Sequence, residues 1–213
     1  MTTFSPNRRH VLAMTAAGAL LPASASATTL PASDPFIGKP NAPVTMTLWF
    51  DFQCPYCKLL WRDAIPKLDA AYVRTGKLKL EFSDFSFLGR DSVTAAVVGR
   101  AVWHLFPDAY FRWSTSMFDA QDRENGGFGD EDSVMKLTMA VPGIDWRLFA
   151  AAFNPNVNRY YAEVRADFAR AQKAGISGTP AMRIAGKLDE GAVPYDEIAA
   201  AIDAALARVR RFP

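Results

Sequence analysis

The sequence predicts an α/β fold carrying an all-helical insertion, and three observations predict it. A buried-strand run, a helical run and an alternating run follow one another between Val44 and Phe82. No strand pattern appears between Ser92 and Ala174. A strand pattern and an amphipathic helix then return between Ala181 and Arg210.

Val44 to Phe52 is dominated by β-branched, aromatic and aliphatic residues without helical periodicity, as expected of a strand covered on both faces. Leu59, Leu60, Ile65, Leu68, Ala71 and Tyr72 return at three- and four-residue steps. They predict a helix from Pro55 to about Thr75, kinked by Pro66 and ended by Gly76. Leu78 to Phe82 alternates like a second strand. Strand, helix and strand at this spacing make a right-handed βαβ unit. Beyond it, Ala95, Val98, Val102 and Leu105 mark one helix, and Tyr110, Trp113, Met117 and Phe118 a second. A third is expected to be capped by Asp132 or Ser133 and to run to Ala140. A fourth spans Trp146 to Phe153 and a fifth Val157 to Ala174. The aromatics of the insertion read as core, and the acidic run from Gly129 to Asp132 as a solvated helix start. Ala181 to Ala185 is the third strand and Gly186-Lys187 a turn. Tyr195 to Arg210 is the last helix, with Ile198, Ile202, Leu206 and Val209 as its buried stripe. Residues 28–42, rich in Pro, Ala and Thr, read as a loose lead-in.

With 213 residues, half of them apolar and 22% charged, the chain can form one compact domain with a real core. Arg8-Arg9, the apolar run from Val11 to Leu21 and the small-residue pattern Ala25-Ser26-Ala27 predict an export signal cleaved after about Ala27. The run falls short of the roughly 20 residues that span a bilayer. The paired arginines followed by Val11-Leu12 resemble a twin-arginine signal, which would mean folding before export. Removing Arg8 and Arg9 takes the formal charge from +2 to zero. No global basic surface remains for an anionic membrane, and no nucleic-acid partner is expected. The expected location is the periplasm.

Only two cysteines exist, Cys54 and Cys57, three residues apart. In a helical turn, residues at this spacing have Cβ atoms about 5–6 Å apart, and a small adjustment brings them within disulfide range. The pair follows a strand and opens a helix, so Cys54 meets the unpaired amides and the positive dipole end of that helix. Both favour a thiolate, and the Cys54 thiol should ionise well below about pH 8.5. Pro55 suits the first helical position and leaves the amides of Tyr56 and Cys57 facing the sulfur. Cys54 is then the exposed attacking sulfur, and the more buried Cys57 resolves the mixed disulfide. Two other readings compete. Structural zinc needs four ligands, and outside the signal His104 is the one histidine; no metal and no cofactor are expected. A purely structural disulfide closing so short a loop would stabilise little. A second element supports redox chemistry: Gly175-Ile176-Ser177-Gly178-Thr179-Pro180 joins the insertion to the third strand. Proline is tolerated as the first residue of a strand and is the residue at which cis peptides occur.

The chain resembles the DsbA-like branch of the thioredoxin superfamily. The resemblance is carried by Gly38-Lys39-Pro40-Asn41-Ala42-Pro43-Val44, by Asp51-Phe52-Gln53-Cys54-Pro55-Tyr56-Cys57 and by Gly175 to Pro180, and covers about residues 34 to 208. It implies a thioredoxin fold, a mixed sheet flanked by helices, built from residues 28–90 and 175–213, with a helical insertion domain at 91–174. It implies that Cys54 and Cys57 lie beside a cis-Pro180, and that Thr179 offers its backbone to a substrate peptide, with Pro55 and Tyr56 completing the substrate-binding set. It also implies a dithiol oxidase acting on the thiols of exported proteins and reoxidised by a membrane quinone-linked partner. The lead-in is too short for the dimerisation domain of the family's isomerases, so a monomer is expected. A reductase or isomerase kept in the dithiol form, and a peptide-binding chaperone of the same fold, are the alternatives. Two features depart from the pattern. Many relatives carry a buried acid six residues before the first cysteine, where this chain has Leu48. Strand alternation puts Asp51 on the opposite face, so it is not expected to substitute. The Pro-Tyr dipeptide is similar to that of glutaredoxins, so a strongly oxidising potential is not implied.

Overall fold

The computed structural model describes residues 34–211, apart from 124, 125 and 127. The export signal and its cleavage after Ala27 lie outside the described residues. Five strands form one mixed sheet in the order β1-β3-β2-β4-β5: β1 (Phe36–Ile37), β2 (Val44–Phe50), β3 (Leu78–Asp84), β4 (Ala181–Ile184) and β5 (Lys187–Glu190). β2 and β3 are parallel, and every other pairing is antiparallel. The helices are α1 (Pro55–Asp63), α2 (Ile65–Leu68), α3 (Arg90–Leu105), α4 (Pro107–Ala120), α5 (Glu131–Ala140), α6 (Trp146–Lys173) and α7 (Tyr195–Arg211). Among the described residues between β3 and β4, every regular element is a helix, as the sequence predicts.

The expected kink near Pro66 is a break. α1 ends at its C-cap Ala64, and Pro66 lies in the first turn of α2, because proline has no N–H to continue the ladder. The chain then passes through a π-helical turn, Asp69–Val73, and leaves at Gly76 with φ +73°. Alternation sorts the faces of β2. Met46, Leu48 and Phe50 enter the main core with α1, α3, α4 and α7, whereas Trp49 points the other way and packs with Phe85, Ala171, Ile176 and Ala181.

Several expectations need correction. The lead-in contains β1, too short to show alternation, paired with β3 at Phe36↔Glu81 and Ile37↔Leu80. The turn after β4 is Ala185-Gly186, with φ +48° and +88°, and Lys187 already belongs to β5. α5 is capped by Asp130, whose carboxylate accepts the Ser133 N–H at 2.7 Å, not by Asp132 or Ser133. The predicted fourth and fifth insertion helices are one continuous α6, with Pro155 inside it. Its buried side runs Phe149, Phe153, Tyr160, Val164 and Ala171; Phe149 stacks on Phe153, and the Phe153–Tyr160 stack crosses the proline. This burial outweighs one missing backbone hydrogen bond. Val209 is 42% exposed, since α7 outruns the sheet that Ile198, Ile202 and Leu206 cover.

Candidate redox site

The site forms where β2 ends and α1 begins. Cys54 is the N-cap of α1, with φ −77° and ψ 118°. Its Sγ takes the place of a capping oxygen and accepts the Cys57 N–H at 3.4 Å. Pro55 sits in the first turn, where its missing N–H costs nothing. Across the sequence, Cys54 Sγ donates to the main-chain oxygen of Thr179 at 3.3 Å. The Thr179–Pro180 peptide is cis, as the sequence reading favours.

The two thiols are driven apart in acidity. Cys54 is held down to about 6. The largest cause is the hydrogen bond from the Cys57 side chain; burial opposes it, and the Thr179 side chain and the N–H groups of Cys57 and Tyr56 assist. Cys57 is pushed well above its ordinary value by burial first and by the neighbouring Cys54 sulfur second, with the Asp51 backbone pulling the other way. The expectation of an exposed Cys54 is not met: it is 4% accessible, against 3% for Cys57. The capping position and the Thr179 loop cover both sulfurs, and depth and polar partners separate them instead.

Pro55 and Tyr56 are exposed at the rim, Tyr56 by 59%. Leu48 is buried in the main core with Cys57, between Phe82 of β3 and Met182 of β4. Asp51 is also buried. Its carboxylate accepts the N–H groups of Gln53, Phe87 and Leu88 at 2.8, 3.0 and 3.2 Å, and the Ser92 hydroxyl at 2.5 Å. Burial pushes its pKa above the ordinary carboxylate value, against the pull of those four bonds. Asp51 therefore joins the motif to the start of α3. Sequence reasoning missed this, and it missed two glutamines. Gln53 Nε2 donates to the Phe128 oxygen, and Gln121 Nε2 donates to the oxygens of Phe52 and Cys54. A polar residue between Phe52 and Cys54 was a signal for Gln53; Gln121 carried none.

A helix-start cysteine pair facing a cis-proline loop on a mixed sheet is the arrangement of a thiol–disulfide exchange protein. A family model described as Thioredoxin matches residues 31–204. The probable disulfide bond formation protein D of Bacillus anthracis is 29% identical over 168 residues, 78% of this chain and 76% of that protein. Disulfide bond formation protein D of Bacillus subtilis is 28% identical over 178 residues, 79% and 75% of the two chains. The crystal structure of oxidised BdbD from Bacillus subtilis superimposes with a TM-score of 0.73 at 27% identity, covering 82% of this chain and 93% of that one. A periplasmic thioredoxin-like protein from Salmonella enterica serovar Typhimurium gives 0.63 at 25%, covering 81% and 90%. The chain belongs to the thioredoxin family, as a DsbA- and BdbD-like thiol–disulfide oxidoreductase of the disulfide-bond-forming kind. Its fold is the thioredoxin fold with a helical insertion.

Proposed function

We propose that the protein is a periplasmic dithiol oxidase that introduces disulfides into exported proteins through Cys54-Pro55-Tyr56-Cys57. The observation that carries this is the placement of the cysteine pair at the start of α1 against the cis Thr179–Pro180 loop, with Cys54 Sγ capping the helix; the opposed acidity of the two thiols agrees with it. A substrate thiolate attacks Cys54 Sγ of the oxidised pair; the Cys54–Cys57 bond breaks, and Cys57 leaves with the electron pair and takes up a proton. A second substrate thiolate then attacks the substrate sulfur of the mixed disulfide. Cys54 leaves readily because its thiolate is stabilised. The substrate loses two electrons and two protons; the pair gains both electrons, Cys57 takes one proton, and the other goes to solvent while Cys54 stays a thiolate. A membrane quinone-linked partner takes the two electrons back, with Cys54 attacking its disulfide and Cys57 resolving the adduct.

Thr179 presents its backbone beside Cys54, next to Pro180, and Pro55 and Tyr56 form the exposed lip where a substrate segment lies. We assign the redox domain to residues 28–90 and 175–213, the helical insertion domain to 91–174, and a monomeric state to the protein. Export rests on the residues before Ala27, and among the described residues no helix is long and apolar enough to cross a membrane. The similarity to the periplasmic thioredoxin-like protein of Salmonella enterica serovar Typhimurium supports the same location.

Thiol trapping in cells is the test. A resting pair found as the disulfide, together with oxidation of reduced dithiol peptides by the purified protein, is the expected result. A resting dithiol would point to a reductase or isomerase. Peptide binding that survives Cys54→Ser, without any redox phenotype, would point to a chaperone.

A further inference from the structure

Gln121 touches the motif through contacts that the exchange steps above do not use. It is the buried C-cap of α4, with its own N–H bonded to Phe118. Its Nε2 donates to the main-chain oxygens of Phe52 at 2.6 Å and Cys54 at 3.1 Å. A carboxamide nitrogen carries two hydrogens, and here both go to the residues on either side of Gln53. The Gln121 main-chain oxygen accepts from Lys58 Nζ at 2.9 Å, one turn into α1. Gln121 thus holds the approach to the helix and its first turn together.

These oxygens lie where regular structure does not serve them. β2 ends at Phe50 and α1 begins at Pro55, so Phe52 lies in neither ladder. The Cys54 oxygen accepts the Lys58 N–H at 3.2 Å and has a second lone pair, which Gln121 occupies. Gln53, between the two gripped carbonyls, is itself bonded to Phe128. Gly129 packs so close that a Cβ there would come within 2.6 Å of Gln53 Nε2, at a backbone φ of +86°. The insertion therefore closes on the three residues that lead into Cys54.

A sulfur one rotatable bond from the backbone goes where the backbone sends it. The contact of Cys54 Sγ with the Cys57 N–H, a donor that a thiolate keeps, requires the N-cap conformation of residue 54. We propose that Gln121 is a positioning residue for the redox step: through this one carboxamide the helical insertion holds the Cys54 main chain so that Sγ keeps its partners at the helix start. The inference rests on the reading of Cys54 as the attacking and departing sulfur. Without Gln121 the thiolate keeps fewer of its donors, and Cys54 becomes a slower nucleophile near pH 6 and a poorer leaving group.

The test compares the reduced wild-type protein with Gln121→Met, which keeps the length and removes both donors, and Gln121→Glu, which turns them into an acceptor facing two carbonyls. Thiolate absorbance and iodoacetamide alkylation are followed from pH 4 to 9, with urea melts in parallel. Gln121→Met should raise the Cys54 midpoint and slow alkylation at pH 6 roughly two- to threefold, as a shift of about half a pH unit does. Gln121→Glu should do more. Gln121→Asn keeps the donors but falls one methylene short, and should lie between wild type and Gln121→Met. A folded Gln121→Met protein that is less stable yet has an unchanged Cys54 midpoint makes Gln121 merely structural and overturns the inference. Where Gln121→Met does not fold, an unchanged midpoint in Gln121→Asn does the same. Peptide oxidation by wild type is scored separately. If Cys54 titrates low but no peptide is oxidised, the functional reading fails while the Gln121 comparison stands.

Discussion

Two regions of this molecule bury ionisable groups, and they do so in opposite ways. At the start of α1, Cys54 is held toward its thiolate by neutral partners: a thiol, a threonine and backbone N–H groups. Between the sheet and the insertion, Arg100 of α3 is buried with a full complement of opposite charge. It meets Asp84 of β3 at 3.1 Å, Asp34 of the lead-in at 3.5 Å and Asp167 of α6. Arg170 adds bonds to Asp34, at 3.2 Å, and to Asp167. Burial pushes Asp84 up to about 7 and Asp167 up to about 6, with Arg100 opposing the rise in both. A cation in contact would bind the Cys54 anion and compete with substrate. Dipoles stabilise an anion while leaving it free to form and break a bond. The Arg100 cluster has no such task, and its charges lock β3, α3, α6 and the lead-in together.

The comparison can be broken at either region. The largest effect is expected at the site, where Cys57→Ser should abolish turnover and accumulate mixed disulfides through Cys54, visible on non-reducing gels. Alkylation titrations showing Cys57 as the more acidic, faster thiol would reverse the roles.

Next in size is Arg100→Met, which leaves buried Asp84 without its cation and Asp167 with Arg170 alone, and should cost about 3–5 kcal/mol in urea unfolding near pH 7.5. Asp84 and Asp167 have folded values above the ordinary carboxylate value, so the folded state holds extra protons between about pH 4 and 7. Their contribution to stability is present at low pH and lost as pH rises through that window. The loss in Arg100→Met should therefore shrink at pH 5. An equal loss at both pH values would show that the carboxylates are not held in this way.

Leu48→Glu probes the core beneath the motif. Placing a polar group among Phe82, Met182 and Cys57 should cost about 1–3 kcal/mol. A carboxylate there would titrate high and could take the proton from Cys57, so resolution should speed up near neutral pH. Stopped-flow rates of that step decide it. An unchanged rate in a folded variant means that residue 48 lies too far from Cys57 or that another group already serves.

The smallest effect concerns the resting balance of the pair. The folded Cys54 thiol, at about 6, lies below its unfolded value near 9. Its contribution to the reduced form is present above the unfolded value and is lost as pH falls through about 6. Cys57, raised well above 9, acts in the opposite sense only in the alkaline range. The stability of the reduced protein relative to the oxidised protein should therefore grow between pH 6 and 8.5 in paired denaturant melts. A gap independent of pH would mean that the Cys54 thiolate is not stabilised by folding.

The features legible in the chain were those that local chemistry dictates. β2 showed itself by an apolar run and α1 by periodicity behind a cysteine pair. The insertion showed itself by the absence of alternation, and the Thr179-Pro180 loop by its place before β4. What local reading missed depended on partners. β1 is two residues long and exists because β3 offers it an edge. β5 has an exposed, charged pattern, Lys187 to Glu190, and is a strand because Ala185-Gly186 folds it back on β4. Pro155 reads as a helix end, yet aromatic packing carries α6 across it.

The sequence alone determined where the chemistry sits. Two cysteines at helical spacing behind a strand, with a proline at the first turn, leave little else for residues 54–57 to be, because strand period, capping and thiol acidity are all set within a few residues. Only the tertiary structure decided what surrounds that pair. Gln121 lies far from Cys54 along the chain and reaches it through folding, as do Asp84 and Asp167 in their approach to Arg100. A hydrogen bond or an ion pair depends on distance in space, and no local pattern records which distant carbonyl or carboxylate will arrive there.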